Sequence, residues 1–406
     1  MSLVSTTSAP AAPTPAVPSR ELELLVRCAR PTVTDRDAAQ IRTLLEENPS
    51  WDRLVETGAG HGVVPLLHRR LQLAPECVPS SVLETLRTRS RAVEVRNLQY
   101  ARELHQIAEA FETEGVRSIP FKGPVLAAYA YGDLSLREFG DLDVLVHERD
   151  LTAAVDLLEE RGYGWICDAP RLDDAAVLGG PFTMPLVSEY QLRRGDTEVE
   201  IRCRVGESDL PFGIDFETLW ERRDTVSVGG IDLPALDPAD RVLMLAYHGT
   251  KHRWHLLKWT SDVAAAIDRS PLEWETLFSR SRNAGLERRL LIGIELSRSL
   301  FGVDVPDRVE RRIRNDNRAE ALTDDVVDRL DSGVPTRPTP TKRIVYNAKA
   351  VDSPTELPRM LLRRQRLHPS LFEYGLHPLP GRLHPLYYPL VPIRLVGEQF
   401  IRITGQ

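Results

Sequence analysis

The segment that decides the fold is FKGPVLAAYAYGDLSLREFGDLDVLV, residues 121–146. It ends in a short β-branched strand candidate, at the start of which Asp141 and Asp143 lie one residue apart. Residues i and i+2 of a strand point to the same face of a sheet, so the two carboxylates would lie side by side. Two such charges repel each other unless a cation lies near them. The pair therefore predicts a cation site, unless it is only a polar turn in front of the strand.

The composition of the whole chain is that of an ordinary globular protein with an acidic balance. Its 406 residues are 42% hydrophobic and 27% charged, which leaves room for two or three hydrophobic cores. The net charge of −7 argues against a general nucleic-acid binder, because phosphate contacts need a basic surface. It does not exclude a small nucleotide that is neutralised by a metal ion.

The sequence indicates a cytoplasmic protein. No apolar run approaches the length of a transmembrane helix, so no membrane partner is expected. Residues 1–20 are rich in Pro, Ala, Ser and Thr and lack the basic and apolar parts of a signal peptide, which predicts a disordered arm. The four cysteines are scattered without a CxxC pair, which is typical of reduced thiols rather than of disulfides or a zinc site.

Helix and strand patterns divide the rest of the chain into four regions. Residues 21–115 carry apolar side chains at helical spacing, and residues 116–236 mix short strand candidates with helices. A second helical region covers 237–332 and begins at an Asp-Pro pair that favours a helix start. Residues 333–406 are expected to form a Pro-rich linker, over 332–343, and a tail that packs on the body.

A hairpin candidate brings further carboxylates toward the aspartate pair. Residues 189–205 predict two strands joined by a two-residue turn at Gly195-Asp196. Glu198 and Glu200 share one face of the second strand. A solvated strand face explains both glutamates, but either one is also placed to converge with the aspartates.

Three carboxylates on neighbouring strands make an all-oxygen site of the kind that Mg²⁺ and Mn²⁺ prefer. Two metal ions held in this way can activate a hydroxyl and neutralise the leaving pyrophosphate of a nucleotide. Gly123 follows a strand candidate and precedes a helix, so the backbone N–H groups of its turn can approach phosphates. Lys122 and Arg137 lie close in sequence and are candidates to bind phosphate oxygens, although a strand-end lysine and a surface salt bridge explain them equally.

The order FKG, YxDxxxR, DLDVLV, EVEIR resembles that of the DNA polymerase β-like nucleotidyltransferase superfamily, and in particular its branch of uncharacterised nucleotidyltransferases. The resemblance implies an α+β fold, with a small mixed β-sheet core flanked by N-terminal and C-terminal helical regions. It implies transfer of a nucleoside monophosphate (NMP) from a nucleoside triphosphate (NTP) to an acceptor hydroxyl. It also implies that Asp141 and Asp143 bind metal, that Glu200 is a third ligand or a general base, and that Gly123 belongs to the phosphate-binding turn.

Three departures from the usual pattern accompany the resemblance. The turn reads Lys-Gly-Pro instead of Gly-Gly or Gly-Ser, so the phosphate-binding serine is missing and Lys122 is expected to compensate. The gap from Pro124 to Asp141 is longer than is common in the superfamily. Arg202 stands two residues after Glu200, where this branch commonly has a histidine.

A polar stripe follows in the second helical region. His248, His252, His255, Trp259 and Asp262 are spaced by four, three, four and three residues, so they would share one face of a continuous helix. Such a face either lines the cleft or packs between regions. The first two histidines have a spacing that suits a metal, but no further ligand pair is evident.

The stripe also extends the resemblance. The segment resembles the helical part of toxin-type nucleotidyltransferases, in which a lysine and an aspartate contribute to activity. Lys251 and Asp262 are therefore expected to help bind the nucleotide. The basic run at 357–367 is either a solvated helix face or a surface for an acidic acceptor.

The sequence thus predicts a transferase that depends on Mg²⁺ or Mn²⁺, uses an NTP as donor and releases pyrophosphate. Its acceptor is expected to be a small molecule, peptide or protein rather than a nucleic acid, since the chain is acidic. Two alternatives stay open: a toxin-type enzyme that acts on tRNA, and a non-catalytic protein that binds a nucleotide or a partner.

Overall fold

The structure is a computed structural model that describes residues 19–166, 190–206, 210, 212–269, 271–331, 333–358, 377, 379 and 381–394. The predicted arm at 1–20 lies outside these residues except for its last two. Ser19 caps the first helix, whose first residue is Arg20. Most of the basic run at 357–367 also lies outside the described residues.

Five strands form a mixed sheet in the order β1-β2-β5-β4-β3. Strands β2 and β5 are parallel, and the other neighbours are antiparallel. A separate two-stranded ribbon, β6-β7, pairs antiparallel. The strands are β1 (Ser118–Pro120), β2 (Leu142–Val146), β3 (Gly164–Trp165), β4 (Tyr190–Arg194), β5 (Thr197–Arg202), β6 (Asp224–Val228) and β7 (Ile231–Ala235).

Helices flank the sheet on both sides along the chain, which confirms the predicted α+β fold with helical flanks. The helices before the sheet and within it are α1 (Arg20–Ala29), α2 (Asp35–Glu46), α3 (Trp51–Gly60), α4 (Val64–Leu71), α5 (Ser80–Thr113), α6 (Gly123–Leu126), α7 (Leu151–Glu160) and α8 (Phe216–Glu221). Those after the sheet are α9 (Pro238–Lys251), α10 (Leu257–Arg269), α11 (Trp274–Ala284), α12 (Glu287–Phe301), α13 (Asp307–Arg314), α14 (Asn317–Leu330) and α15 (Pro340–Lys349).

Two hydrophobic clusters hold these elements together. One joins the N-terminal helices α1–α4 to the helices α9–α15, and the other covers the sheet with the C-terminal half of α5 and with α7. Burial of apolar side chains is the main driving force for such packing. Because α5 contributes to both clusters, it fixes the sheet relative to the helical body.

Local signals in the sequence fix the elements nearest the site. The predicted strand over 142–146 and the hairpin turn at Gly195-Asp196 are as expected. The Asp237 side chain accepts a hydrogen bond from Asp240 N, and Pro238 starts α9, as its N-cap role requires. The linker is shorter than predicted, because Thr339 caps a helix that already begins at Pro340.

The predicted continuous helical stripe is wrong at one point. Helix α9 ends at Lys251 and α10 begins at Leu257. Between them Arg253 and Trp254 have φ values of 60° and 49°, which are left-handed and cannot continue an α-helix. Across the described residues, no helix combines the length and apolar character that a bilayer crossing requires.

Candidate active site

A cavity of about 440 Å³ opens where the polar ends of β2, β4 and β5 face helices α9 and α10. This volume lies within the range of small-molecule sites. The charged residues of its lining are Lys122, Arg137, Glu138, Asp141, Glu200, Arg202, Lys251, Lys258, Arg337 and Arg343. Five of the eight site residues predicted from the sequence thus line this one cavity.

The aspartate pair lies at the start of β2, as the sequence predicted. Asp141 lines the cavity, whereas Asp143 is only 2% exposed and lies directly beneath. Repulsion by Asp143, together with burial, raises the pKa of Asp141 to about 6. The two carboxylates therefore interact as strongly as their spacing on one strand face implied.

Lys122 supplies the nearest positive charge to this pair. Phe121 N donates a hydrogen bond to Asp143 O at 3.2 Å, which extends the β1-β2 pairing and carries Lys122 to the strand end. Its Nζ lies 2.6 Å from Asp143 Oδ1. Burial alone would raise the pKa of Asp143, but Lys122 and Arg202 outweigh it and hold that pKa below its usual range.

Gly123 forms the turn between this lysine and α6. Its φ of +50° is a left-handed conformation that favours glycine. A Cβ at this position would also lie 3.2 Å from Asp141 O, so the turn passes close to the backbone of the aspartate loop. Gly123 is adjacent to the cavity lining rather than part of it.

The third carboxylate comes from β5. In the parallel β2-β5 register Asp143 pairs with Glu200, so the two residues are direct neighbours across the strands. Glu200 lines the cavity and accepts a hydrogen bond from Gln191 Nε2 at 3.1 Å. Glu198 instead pairs with Arg193 outside this lining.

Arg202 is the site residue whose importance the sequence understated. Its buried guanidinium forms an ion pair with Glu200, and its Nε lies 3.8 Å from Asp143 Oδ1. It therefore bridges the two strands that carry the carboxylates. The sequence showed it only as an arginine in place of a common histidine.

Arg137 and Asp262 form a buried ion pair behind the cavity wall. Arg137 Nε and Nη2 donate to the two oxygens of Asp262 at 2.8 and 2.9 Å. Tyr131 Oη also donates to Asp262, at 2.9 Å. Arg137 reaches the cavity, but Asp262 is fully buried and lies outside its lining. Asp262 is thus placed to position Arg137 rather than to touch a ligand.

Helix α5 holds the loop between these residues and β2. Asn97 Nδ2 donates to Leu134 O at 2.6 Å and to Arg137 O at 2.8 Å. Tyr100 Oη donates to Gly140 O at 2.6 Å. Neither side chain was predicted as a site residue. The sequence marks them only as two polar groups that lie three residues apart on an otherwise apolar helix face.

The opposite wall is a cluster of aromatic rings around the α9-α10 break. Trp259 lies 5.3, 5.1 and 4.7 Å from the rings of His248, His252 and His255, measured between ring centroids. Burial lowers the pKa of all three histidines, so they are neutral near pH 7. The predicted face is therefore real for these four residues, although two helices and a break build it, and Asp262 is separate from it.

The carboxylates fit a metal ion in charge and in donor type. Asp143 Oδ2 is buried without a hydrogen-bond partner among the described residues. A bound cation would also relieve the repulsion between Asp141 and Asp143. Carboxylate oxygens suit Mg²⁺ and Mn²⁺. In the described part of the chain, however, no three His, Cys, Asp or Glu side chains converge closely enough to form a complete metal site. Lys122 and Arg202 contact the carboxylates instead.

Comparison with known proteins gives one family. A family model described as uncharacterised nucleotidyltransferase matches residues 47–302, which include the whole carboxylate wall and the helix break. No curated protein matches the chain. Since the match covers well over half of the 406 residues, the protein belongs to this family of uncharacterised nucleotidyltransferases.

Proposed function

We propose that the protein is a metal-dependent nucleotidyltransferase that moves an NMP from an NTP to an acceptor hydroxyl and releases pyrophosphate. One observation carries this proposal. The described residues that line the cavity include seven lysines or arginines but only three aspartates or glutamates, although the whole chain has a net charge of −7. Such a concentration of positive charge beside a carboxylate pair is what a metal-bound triphosphate needs.

The carboxylate wall would hold the metal. Asp141, Asp143 and Glu200 offer the oxygen donors, and Mg²⁺ or Mn²⁺ bound there would neutralise the charge that develops on the phosphates. Binding requires Lys122 and Arg202 to leave the carboxylates. The Lys122 side chain is flexible and starts beside the Gly123 turn. When it leaves Asp143, its ammonium group would bind the phosphates instead.

The basic residues would bind the triphosphate. Lys122, Arg137 and Lys251 all face the cavity, and the backbone at Gly123 passes close to it. Arg137 Nη1 is buried without a hydrogen-bond partner among the described residues, which leaves one donor to offer a phosphate oxygen. Asp262 would act on the nucleotide through Arg137, because it fixes the guanidinium by two hydrogen bonds.

The reaction then needs one bond to form and one to break. The acceptor oxygen attacks the α-phosphorus, the bond to the pyrophosphate oxygen breaks, and the acceptor proton passes to a carboxylate. Glu200, which lines the cavity beside Asp143, is the candidate base. Alignment of acceptor and phosphate would provide much of the rate.

The acceptor proposed here is a small molecule, peptide or protein, and the acidic surface of the chain supports this over a polynucleotide. The size of the cavity, about 440 Å³, also favours a compact group at the reacting end. A cytoplasmic location remains a prediction from the sequence.

The proposal is tested by binding and turnover of the four NTPs with Mg²⁺ or Mn²⁺, and after chelation of metal. Turnover is read as pyrophosphate release and as label transferred to a candidate acceptor or to the protein itself. Asp141→Asn keeps the shape of the side chain and should reduce turnover by about 10²- to 10³-fold. The exposed hairpin residue Asp196 gives the matched control, Asp196→Asn, which should retain full activity.

The outcomes separate the functional classes. Metal-dependent turnover that is lost in Asp141→Asn supports the enzyme. Metal-dependent binding without turnover on any acceptor would favour the non-catalytic alternative, and label found on tRNA would favour the toxin-type enzyme. Absence of metal-dependent NTP binding would rule out the proposed function.

A further inference from the structure

Two arginines in the cavity lining come from outside the part of the chain that matches the family. Arg337 and Arg343 line the cavity, whereas the family match ends at residue 302. They belong to the loop 333–339 and to the first turn of α15. The segment 333–349 therefore adds charge to the site that the family core does not supply.

This segment is fixed to the wall of the cavity. Asn347 Nδ2 donates to Lys251 O at 3.2 Å and to Arg343 O at 2.9 Å. Lys251 is the last residue of α9. Tyr346 is buried beside them. The Thr339 side chain caps α15 and Pro340 starts it. These contacts hold the first turn of α15 at the cavity, so its arginine is part of the folded structure.

The two arginines lie on the side of the cavity that carries the ring cluster, because their segment contacts the end of α9. The rings of His248, His252 and His255 follow one another, with centroid distances of 4.7 and 6.5 Å. Among the charges that lower the pKa of each ring, Lys122 has the largest effect on His248 and Arg337 has the largest effect on His255. The cavity thus has a carboxylate end and a ring end, and the two arginines lie with the ring end.

Neither arginine has an acidic partner among the described residues. The contrast with neighbouring Arg253 and Arg329 is direct, because both of those pair with Asp325. Arg343 is half-buried and Arg337 is exposed. Two guanidinium groups that line one cavity without acidic partners favour an anionic ligand, and phosphate suits the planar donor geometry of arginine.

We propose that Arg337 and Arg343 form a second anion subsite, which binds a phosphate group carried by the acceptor while the donor triphosphate occupies the carboxylate end. This inference rests on the proposed function and narrows it, since it makes the acceptor a phosphorylated compound. The phosphate would hold the acceptor at the ring end, opposite the metal-binding wall, and direct its hydroxyl toward the α-phosphorus.

The test is titration with inorganic phosphate, in the presence of Mg²⁺ and a saturating non-hydrolysable NTP analogue. Wild type is compared with Arg337→Gln/Arg343→Gln. Phosphate should bind the wild-type complex and bind the double variant about tenfold or more weakly, because two charged donors are lost. The affinity for the analogue should change less than about threefold.

A matched control removes the same amount of charge from the same segment, 333–349. Lys342 and Lys349 are exposed on α15 and lie outside the cavity lining. Lys342→Gln/Lys349→Gln should leave both affinities unchanged, which excludes a general effect of net charge. Thermal unfolding of each variant verifies that α15 is still folded.

The outcomes are distinguishable from failure of the proposed function. A tenfold loss of analogue affinity in the arginine variant would assign both residues to the donor triphosphate and overturn the subsite. Equal phosphate affinities of the wild type and the arginine variant would also overturn it. If the analogue does not bind wild type at all, the proposed function fails. Phosphate titrated into the nucleotide-free protein then still decides whether the arginine subsite exists.

Discussion

The two ends of the cavity are built in different ways. The carboxylate end rests on a parallel strand pair, in which register alone makes Asp143 and Glu200 neighbours. The ring end rests on a break between α9 and α10, where no repeat of helix or sheet sets the positions of the side chains. At the first end the regular repeat of the strands sets the side-chain directions, whereas the second end depends on how a non-helical segment packs.

Trp254 explains how the break is held. Its side chain is fully buried, and its Nε1 donates to Thr250 Oγ1 at 3.2 Å. The ring lies against Gly249, where a Cβ would come within 2.3 Å of it. Burial of this large ring offsets the cost of the left-handed backbone at Arg253 and Trp254. The turn that brings His255 back onto Trp259 therefore depends on one tryptophan and one glycine.

The largest expected effect comes from breaking the Arg137–Asp262 ion pair, which joins the carboxylate side of the cavity to α10. Asp262→Asn removes the charge that the buried Arg137 needs, and breaking such a pair costs about 3–5 kcal/mol. The free energy of unfolding, measured in urea, should fall by that amount. NTP affinity should fall as well, because Arg137 loses the partner that orients it.

An exposed ion pair supplies the comparison for this variant. Asp325 pairs with Arg253 and Arg329, but its side chain is 40% exposed. Asp325→Asn should cost less than about 1 kcal/mol and leave NTP affinity unchanged. Equal losses in the two variants would show that burial of the Arg137 pair does not couple the ends of the cavity.

The second-largest expected effect tests which glutamate is the third carboxylate. Glu200→Gln should lower turnover by about 10²-fold or more, because Glu200 lies in the cavity wall beside Asp143. Glu198→Gln on the same strand face should leave turnover within about twofold, since Glu198 pairs with Arg193 outside the lining. Initial rates at saturating NTP measure both, and the reverse ranking would move the third carboxylate to Glu198.

The sequence was informative where the backbone repeat is regular. The strand at 142–146, the hairpin turn and the helix start at Pro238 all follow from local signals that the fold retains. The side-by-side aspartates follow from the period of a strand. These features required no knowledge of what packs against them.

The remainder of the site depends on tertiary contacts. The role of Arg202 arises only because β2 and β5 are neighbours. The pairing of Arg137 with Asp262 joins residues 125 positions apart. The helix break was invisible because the histidine spacing continues through it, and because positive φ at arginine and tryptophan is uncommon. Long-range partners of this kind leave no periodic trace in a single sequence.

The third effect tests the helix break itself. Gly249→Ala would place a methyl group about 2.3 Å from the Trp254 ring, and overpacking of this kind costs about 1–3 kcal/mol. Gly293→Ala meets the same ring at 3.2 Å and should cost distinctly less. Urea unfolding of the two variants measures the difference. Indistinguishable curves would mean that the Trp254 ring shifts easily and does not hold the break.

The smallest effect concerns the stability of the carboxylate end. In the metal-free protein, Asp141 has a folded-state pKa of about 6 against an ordinary value of 3.8. Above pH 6 the folded state therefore bears an ionised carboxylate that its neighbour Asp143 disfavours. Asp141→Asn should raise the free energy of unfolding there by about 1 kcal/mol, after allowance for solvent screening. It should do so while it reduces turnover by about 10²- to 10³-fold.

The pH dependence gives this prediction its sign. As pH falls from 6 toward 4, wild-type Asp141 takes up a proton in the folded state before it does so in the unfolded state, so the penalty disappears. The advantage of Asp141→Asn should shrink over the same interval and vanish near pH 4. Asp196 lies in the exposed hairpin turn. In chelator-treated protein, the difference in unfolding free energy between Asp196→Asn and wild type should not change with pH over this range. A constant advantage of Asp141→Asn from pH 4 to 8 would instead mean that Lys122 and Arg202 already neutralise both aspartates, and that no charge is left at this wall for a metal ion to relieve.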